Sequence, residues 1–200
     1  MSDFIYLASQ SPRRKQLLEQ LGVRHELLLP DESEDAEALE DLVRGESPAD
    51  YVQRVTALKL DAALRRQRQR GLPNAPVLCS DTTVALGRRI YAKPLDQQDA
   101  LRMLSELSGR THRVLTAVAL GTTRRRFAAL SVSRVRFAAL TAQQLEAYGR
   151  SAEPMGKAGA YAVQGRAAEF IERIEGSYSG IMGLPLFETA QLLRSLRVTF

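Results

Sequence analysis

Short apolar runs alternate along this chain with stretches in which apolar residues recur every three or four positions. The runs near residues 4–8, 24–29, 76–80, 83–86, 113–121, 127–138 and 168–174 predict strands. The periodic stretches near 12–21, 48–68, 96–107, 141–149 and 185–197 predict helices. Together they predict a mixed α/β fold, with 113–138 forming a long antiparallel hairpin that turns at Gly121-Thr122-Thr123-Arg124. Two helix starts carry their own signal. Ser11-Pro12 and Ser47-Pro48 each place a capping hydroxyl before a proline whose missing N–H costs nothing at the first helical position, and Gly22 ends the first helix. At about 100° per residue, Tyr51, Val52, Val55, Leu58, Ala62 and Ala63 share one arc of the second helix, with Lys59 inside it and Arg54 and Arg65 outside. Lys59 is therefore expected to point inward.

With 200 residues the chain is long enough for one domain with a sizeable core. No apolar run approaches the ~18 residues of a membrane span, and Met1-Ser2-Asp3 carries no basic leader, so neither a membrane helix nor a signal peptide is expected. One cysteine, Cys79, excludes an internal disulfide, and two isolated histidines, His25 and His112, exclude a Cys/His zinc site. Any metal would need mainly oxygen ligands. The net charge of +5 favours anionic partners. Only Lys15, Lys59, Lys93 and Lys157 among the 28 basic residues are lysines, which singles out positions where a compact ammonium suits a phosphate. Aromatics make up 6% and do not interleave with the basic runs, so nucleic acid is not the expected partner.

Candidate chemistry clusters in five segments. Ser9-Gln10-Ser11-Pro12-Arg13-Arg14-Lys15 puts three cations in a first helical turn, where the helix dipole disfavours them unless a phosphate is bound there. Lys59 is the second candidate. The third is Asp81, read as the end of the apolar run Pro76–Ser80, where a carboxylate suits a hard cation or a proton transfer; Lys93-Pro94 follows twelve residues on. Gly156-Lys157-Ala158-Gly159-Ala160 through Gln164-Gly165 surrounds a lysine with small residues that permit close approach of a ligand or a strand. Gly176 to Pro185 reads as a glycine-rich loop that either cradles phosphate or packs as a tight turn.

Ser9-Gln10-Ser11-Pro12-Arg13-Arg14, Ser80-Asp81-Thr82-Thr83-Val84, Lys93-Pro94, Ser108-Gly109-Arg110-Thr111-His112, Lys157 to Gly165 and Gly183-Leu184-Pro185 occur in the order seen in the Maf family of nucleoside triphosphate pyrophosphatases. The set spans nearly the whole chain and resembles most the branch acting on dTTP and UTP; a neighbouring branch hydrolyses 7-methyl-GTP. The resemblance implies a two-lobed α/β fold related to inosine triphosphatases with a central cleft. It also implies Mg²⁺- or Mn²⁺-dependent release of pyrophosphate by a cytoplasmic protein, often a homodimer, whose family name is tied to septum inhibition and hence to an alternative role as a nucleic-acid-binding division regulator. By matching motif, Ser9, Arg13, Arg14, Lys59, Lys93 and Lys157 would contact the triphosphate, and Asp81 would accept a proton or hold the metal. Arg13, Thr82 and Gln164 would match the positions associated with pyrimidine choice. Ser80 stands where the family usually has Ala, and the acidic segment after Asp31 is long. The second metal ligand is therefore open between Glu34, preferred, and Glu32.

Overall fold

The computed structural model describes residues 2–31, 34–35 and 38–200. In chain order the elements are β1 (Ile5–Leu7), α1 (Pro12–Gln20), β2 (His25–Leu27), α2 (Pro48–Gln69), β3 (Val77–Leu86), β4 (Arg89–Tyr91), α3 (Gln97–Leu107), β5 (Thr111–Gly121), β6 (Arg126–Phe137), α4 (Ala142–Gly149), β7 (Ile171–Glu175), α5 (Tyr178–Met182) and α6 (Leu186–Ser195), with 3₁₀ turns at Ala38–Glu40, Ala158–Ala160 and Arg166–Phe170. The local signals act as expected. Ser11 and Ser47 cap α1 and α2 ahead of their prolines, and Gly22 adopts φ +72° just beyond α1. In α3, Ala100, Met103, Leu104 and Leu107 bury one helical face. Among the described residues no helix is long and apolar enough to cross a membrane.

The strands form one mixed sheet in the order β2-β1-β3-β5-β6-β7, with β4 also on β3. β5 and β6 make the expected hairpin, in register from Thr111–Arg136 to Gly121–Arg126. β3 is the organising strand. The two runs expected at 76–80 and 83–86 are a single ten-residue strand, and Asp81 lies in its middle, not at its end. The polar residues Ser80 to Thr83 interrupt the apolar pattern but not the ladder, because β5 pairs with β3 without a break from Val77–Gly121 to Ala85–Arg113. The opposite edge of β3 is shared. β1 pairs there in parallel with Val77 and Leu78, and β4 pairs antiparallel with Val84 to Leu86. No strand among the described residues covers the edge between them.

Two-residue alternation along β3 sends its side chains to different layers. Leu78 packs with Ile5, Leu18, Val118 and Leu193 on the α1/α6 face, whereas Val77 and Cys79 pack with Leu60, Ala63 and Leu64 of α2. Burial in that layer pushes the Cys79 thiol up to about 12, so it is inert packing. Leu58, placed on the buried arc by its periodicity, is 37% exposed at the arc's edge. The glycine-rich segment after Gly176 contains the short helix α5, capped by the Ser177 hydroxyl, and is a packing turn as much as a loop. A third apolar cluster joins α3 to Val84, Val114, Phe137 and Tyr161. Within it His112, 1% exposed, sits edge-on to Phe137 and Tyr161, with Nε2 2.8 Å from the Tyr161 hydroxyl.

Burial lowers the His112 pKa to about 4, and Nδ1 has no partner among the described residues, so protonation would add a second buried donor without an acceptor. Below pH 6.5 the unfolded chain takes up a proton here that the folded chain refuses until about pH 4, so stability falls as pH drops through that window. The expected loss from this group is about 2 kcal/mol between pH 7 and pH 5. Urea unfolding of wild type and His112→Gln at both values checks it: the variant should lose most of the slope.

Candidate functional site

The uncovered edge of β3 opens a cavity of about 640 Å³ lined by Ser9, Arg13, Arg14, Glu40, Lys59, Arg66, Ser80, Asp81, Thr82, Lys93, Lys157 and Tyr161 among others. Strand alternation divides its chemistry. Asp81, like Cys79, faces α2, where the Lys59 ammonium lies 2.6 Å from Asp81 Oδ1. Ser80 and Thr82 face the other way, toward α1 and the turn after α5. Lys59 therefore does point inward, and it also lies 2.7 Å from Glu40 Oε1, while Glu40 Oε2 accepts from Lys93 Nζ at 3.2 Å. Burial works against ionising Glu40, but Lys59 and Lys93 outweigh it and hold its carboxyl below the usual range.

Arg14 ties the second side together. Its Nε donates to the Gly183 carbonyl at 2.8 Å, Nη1 to the Ser9 hydroxyl at 3.3 Å and Nη2 to the Thr82 hydroxyl at 3.4 Å. Burial lowers the pKa of this guanidinium, with Asp81 opposing the shift. Gly183 has φ +119°, which only glycine adopts readily, and this turn presents its carbonyl to both Arg14 and Ser80 Oγ, the latter at 2.9 Å. Ser80 also lies 2.8 Å from the Ala117 carbonyl, so the hydroxyl that departs from the usual alanine here is spent on bracing the sheet. Thr82 Oγ1 is 3.1 Å from Thr116 Oγ1, its partner in register on β5.

Lys157 enters from the segment before the Ala158–Ala160 turn. A Cβ on Gly159 would lie 2.9 Å from Val84, so of the two uses expected for these small residues the turn shows close packing on β3. Burial lowers the Lys157 pKa, and Arg13 across the cavity lowers it further. Two cations that repel one another across a cavity are poised for an anion. Ala162 and Val163 also line the cavity, whereas Gln164 beside them is exposed and absent from the lining.

Of the expected site residues, Ser9, Arg13, Arg14, Lys59, Asp81, Thr82, Lys93 and Lys157 are brought to one cavity from five separate segments. Glu34 is not. Both its oxygens are held by Arg66, at 2.6 and 2.7 Å, and Arg66 also donates to the Leu28 carbonyl, so this carboxylate is neutralised in a link between Glu34, α2 and Leu28. The structure does not bring Glu34 beside Asp81, as the expected metal pairing would require. Glu40 is the carboxylate that meets Asp81 across Lys59. Glu32 lies outside the described residues. Sequence reasoning missed Glu40 because it is one of seven acids in 31–41, with no spacing that distinguishes it.

The family model described as "Maf-like protein" matches residues 4–196. The chain is 71% identical over 195 residues to the dTTP/UTP pyrophosphatase of Albidiferax ferrireducens, covering 98% of each. It is 66% identical over the full length of both to the dTTP/UTP pyrophosphatase of Cupriavidus pinatubonensis. A solved nucleoside-triphosphatase / dITP/XTP pyrophosphatase from Mycobacterium abscessus is a distant likeness, with TM-score 0.44 and 17% identity over 96% of each chain. Motifs that span the chain, a family model that covers nearly all of it and relatives matched end to end agree, and this chain belongs to the Maf family.

Proposed function

We propose that residues 1–200 form one pyrophosphatase domain that hydrolyses dTTP and UTP to the monophosphate and pyrophosphate. The observation that carries this reading is the convergence of Arg13, Arg14, Lys59, Lys93 and Lys157 around one strand-borne carboxylate, Asp81, in a single cavity. A nucleoside triphosphate carries about four negative charges, and in-line attack at the α-phosphorus needs them offset while pyrophosphate departs. The names of the full-length relatives support the choice of nucleotide.

In this reading Arg13, Lys93 and Lys157 bind the phosphates, and Arg14, braced by Gly183, Ser9 and Thr82, presents its fork at a set angle. Asp81 takes the proton of the attacking water on a carboxylate oxygen, and Lys59 keeps that carboxylate oriented. The donors fit a divalent cation such as Mg²⁺ or Mn²⁺, since two carboxylates already share one ammonium as a stand-in positive charge, and hard oxygen ligands suit these ions. Asp81 and Glu40 would hold the ion, which when bound neutralises phosphate charge and acidifies water. Base reading falls to Arg13 and to Gln164, which stands exposed beside the lining residues Ala162 and Val163, because the Thr82 hydroxyl is committed to Arg14 and Thr116. One amide pairs with N3–H and a neighbouring carbonyl of uracil or thymine, and mispairs with cytosine.

A panel of nucleotides assayed for pyrophosphate release with Mg²⁺ or Mn²⁺ tests the proposal. UTP and dTTP should exceed CTP by roughly 100-fold in kcat/KM, the discrimination expected when the polar groups that meet the base are left mismatched. Equal rates on CTP, or preference for 7-methyl-GTP, would overturn it.

Asp81→Asn should reduce kcat by at least ~1000-fold, in the range lost when a proton acceptor is removed, with the far-ultraviolet circular dichroism of wild type. Retention of most of the turnover would make Asp81 a structural strand residue.

Lys93→Ala, half-exposed at its side chain, should raise KM for UTP about tenfold through one lost phosphate contact, with the thermal midpoint unchanged. Arg65→Ala, on the solvent side of α2, should leave both parameters as they are. Equal kinetics for the two variants would remove Lys93 from the site.

A further inference from the structure

One carboxylate near the cavity takes no part in the proposed chemistry, though its charge favours the Lys157 ammonium, and it holds the segment that the pyrimidine reading depends on. Glu153 follows α4. Its Oε1 accepts from the Tyr148 hydroxyl at 2.9 Å and from Ala167 N–H at 3.3 Å, and its Oε2 accepts from Arg166 N–H at 2.9 Å. The carboxylate thus closes the end of the turn that begins at Ala162 and Val163, which line the cavity, and carries Gln164. Gly165 makes this possible. A Cβ there would lie 2.2 Å from Glu153 Oε1, so a side chain at this position would expel the carboxylate. Burial opposes the ionised form, but the Arg166 N–H, the Tyr148 hydroxyl and the Ala167 N–H together keep the carboxyl below its usual range.

The anchor behind Glu153 is stiff. Tyr148 is 1% exposed and stacks edge-on against Phe170 at 5.3 Å. Its helix lies so close to α3 that a Cβ on Gly149 would come within 2.5 Å of Leu101. The start of the same segment is pinned independently, by Tyr161 to buried His112. Residues 161–167 are therefore held at both ends by groups that do not reach the cavity as ligands of a nucleotide. Between them Ala162 and Val163 line the cavity, and Gln164 stands exposed beside them.

We infer that Glu153 is a positioning residue for base discrimination, setting the register of the Gln164 turn from behind through Tyr148 and the Arg166 and Ala167 amides. The inference rests on the reading of Gln164 as the group that meets the base. All three partners of Glu153 are donors, so the role needs a side chain with acceptors on both branches. A glutamine turns one branch into a donor facing an N–H or O–H, and the turn must shift. A displacement of about 1 Å at a positioning group costs up to ~100-fold in rate. The effect should fall on base selection and leave in place Arg13, Arg14, Lys59 and Lys93, which come from other segments; Lys157 alone shares the segment of Glu153.

The test compares Glu153→Gln and Tyr148→Phe with wild type on UTP and CTP, and measures UMP and inorganic pyrophosphate binding by calorimetry. Glu153→Gln should narrow the UTP-to-CTP ratio of kcat/KM at least ~10-fold, mainly through KM for UTP. It should also weaken UMP without weakening pyrophosphate, because the cations of the other segments stay in place and loss of the Glu153 charge only makes the surroundings of Lys157 more positive. Tyr148→Phe, which loses one of the three bonds and keeps the ring packing, should shift the ratio in the same direction by less. Amide exchange at Arg166 and Ala167 should quicken in Glu153→Gln. An unchanged ratio in either variant, or a parallel loss of pyrophosphate binding, overturns the inference. A wild type that does not distinguish UTP from CTP overturns instead the pyrimidine reading on which it stands.

Discussion

The edge of β3 that no strand among the described residues covers is the constraint from which the site follows. β5 pairs with β3 from Val77 to Ala85, so its two-residue alternation is preserved across Ser80 to Thr83. On the other edge β1 and β4 take only the two ends. Polar side chains in the middle of a central strand would ordinarily be buried at high cost without partners. Here they open on a cavity and meet Arg14 from one layer and Lys59 from the other. The strand can hold Asp81 at 8% exposure only because an ammonium lies 2.6 Å from it.

The same arrangement explains why so many cations tolerate one another. Lys59 and Lys93 are bridged by Glu40, and Arg14 gives three of its five N–H donors to a carbonyl and two hydroxyls. Arg13 and Lys157 are left facing each other, and their mutual repulsion is a standing preference for an anion between them. Held in place before substrate arrives, such charges act on phosphate without reorganisation at the moment of reaction. The polar braces lie one layer further out. Ser80 on Gly183, Thr82 on Thr116, Tyr161 on His112 and Tyr148 on Glu153 each fasten a segment that carries a site group.

Much of this was legible in the residues alone. Periodicity and capping located the helices, and the place of Lys59 within an apolar arc told where its ammonium would go. Those are local properties, set by 3.6-residue geometry and by the hydrogen bonding of a first turn. Motif order carried the family and with it most of the cavity's lining. The interruption at Ser80 to Thr83 misled, because a polar stretch reads as a break when the ladder that sustains it is formed by residues more than thirty positions away.

What only the tertiary structure decided is which charges meet. Seven acids in 31–41 are equivalent to a pattern reader, yet folding sends Glu34 to Arg66, and Glu40 to Lys93 and to Lys59, two turns nearer the start of α2 on the same face. Glu153 is likewise one exposed-looking acid among many until Gly165 and two backbone amides close on it. The amino-acid sequence determined the elements, the sign of the site and the chemistry available to it, because these depend on near neighbours and on residue type. Pairing between segments distant in the chain depends on how α2, β3 and the 153–167 segment pack, and ion pairs and hydrogen bonds fall off within a few ångströms, so it was left to the fold.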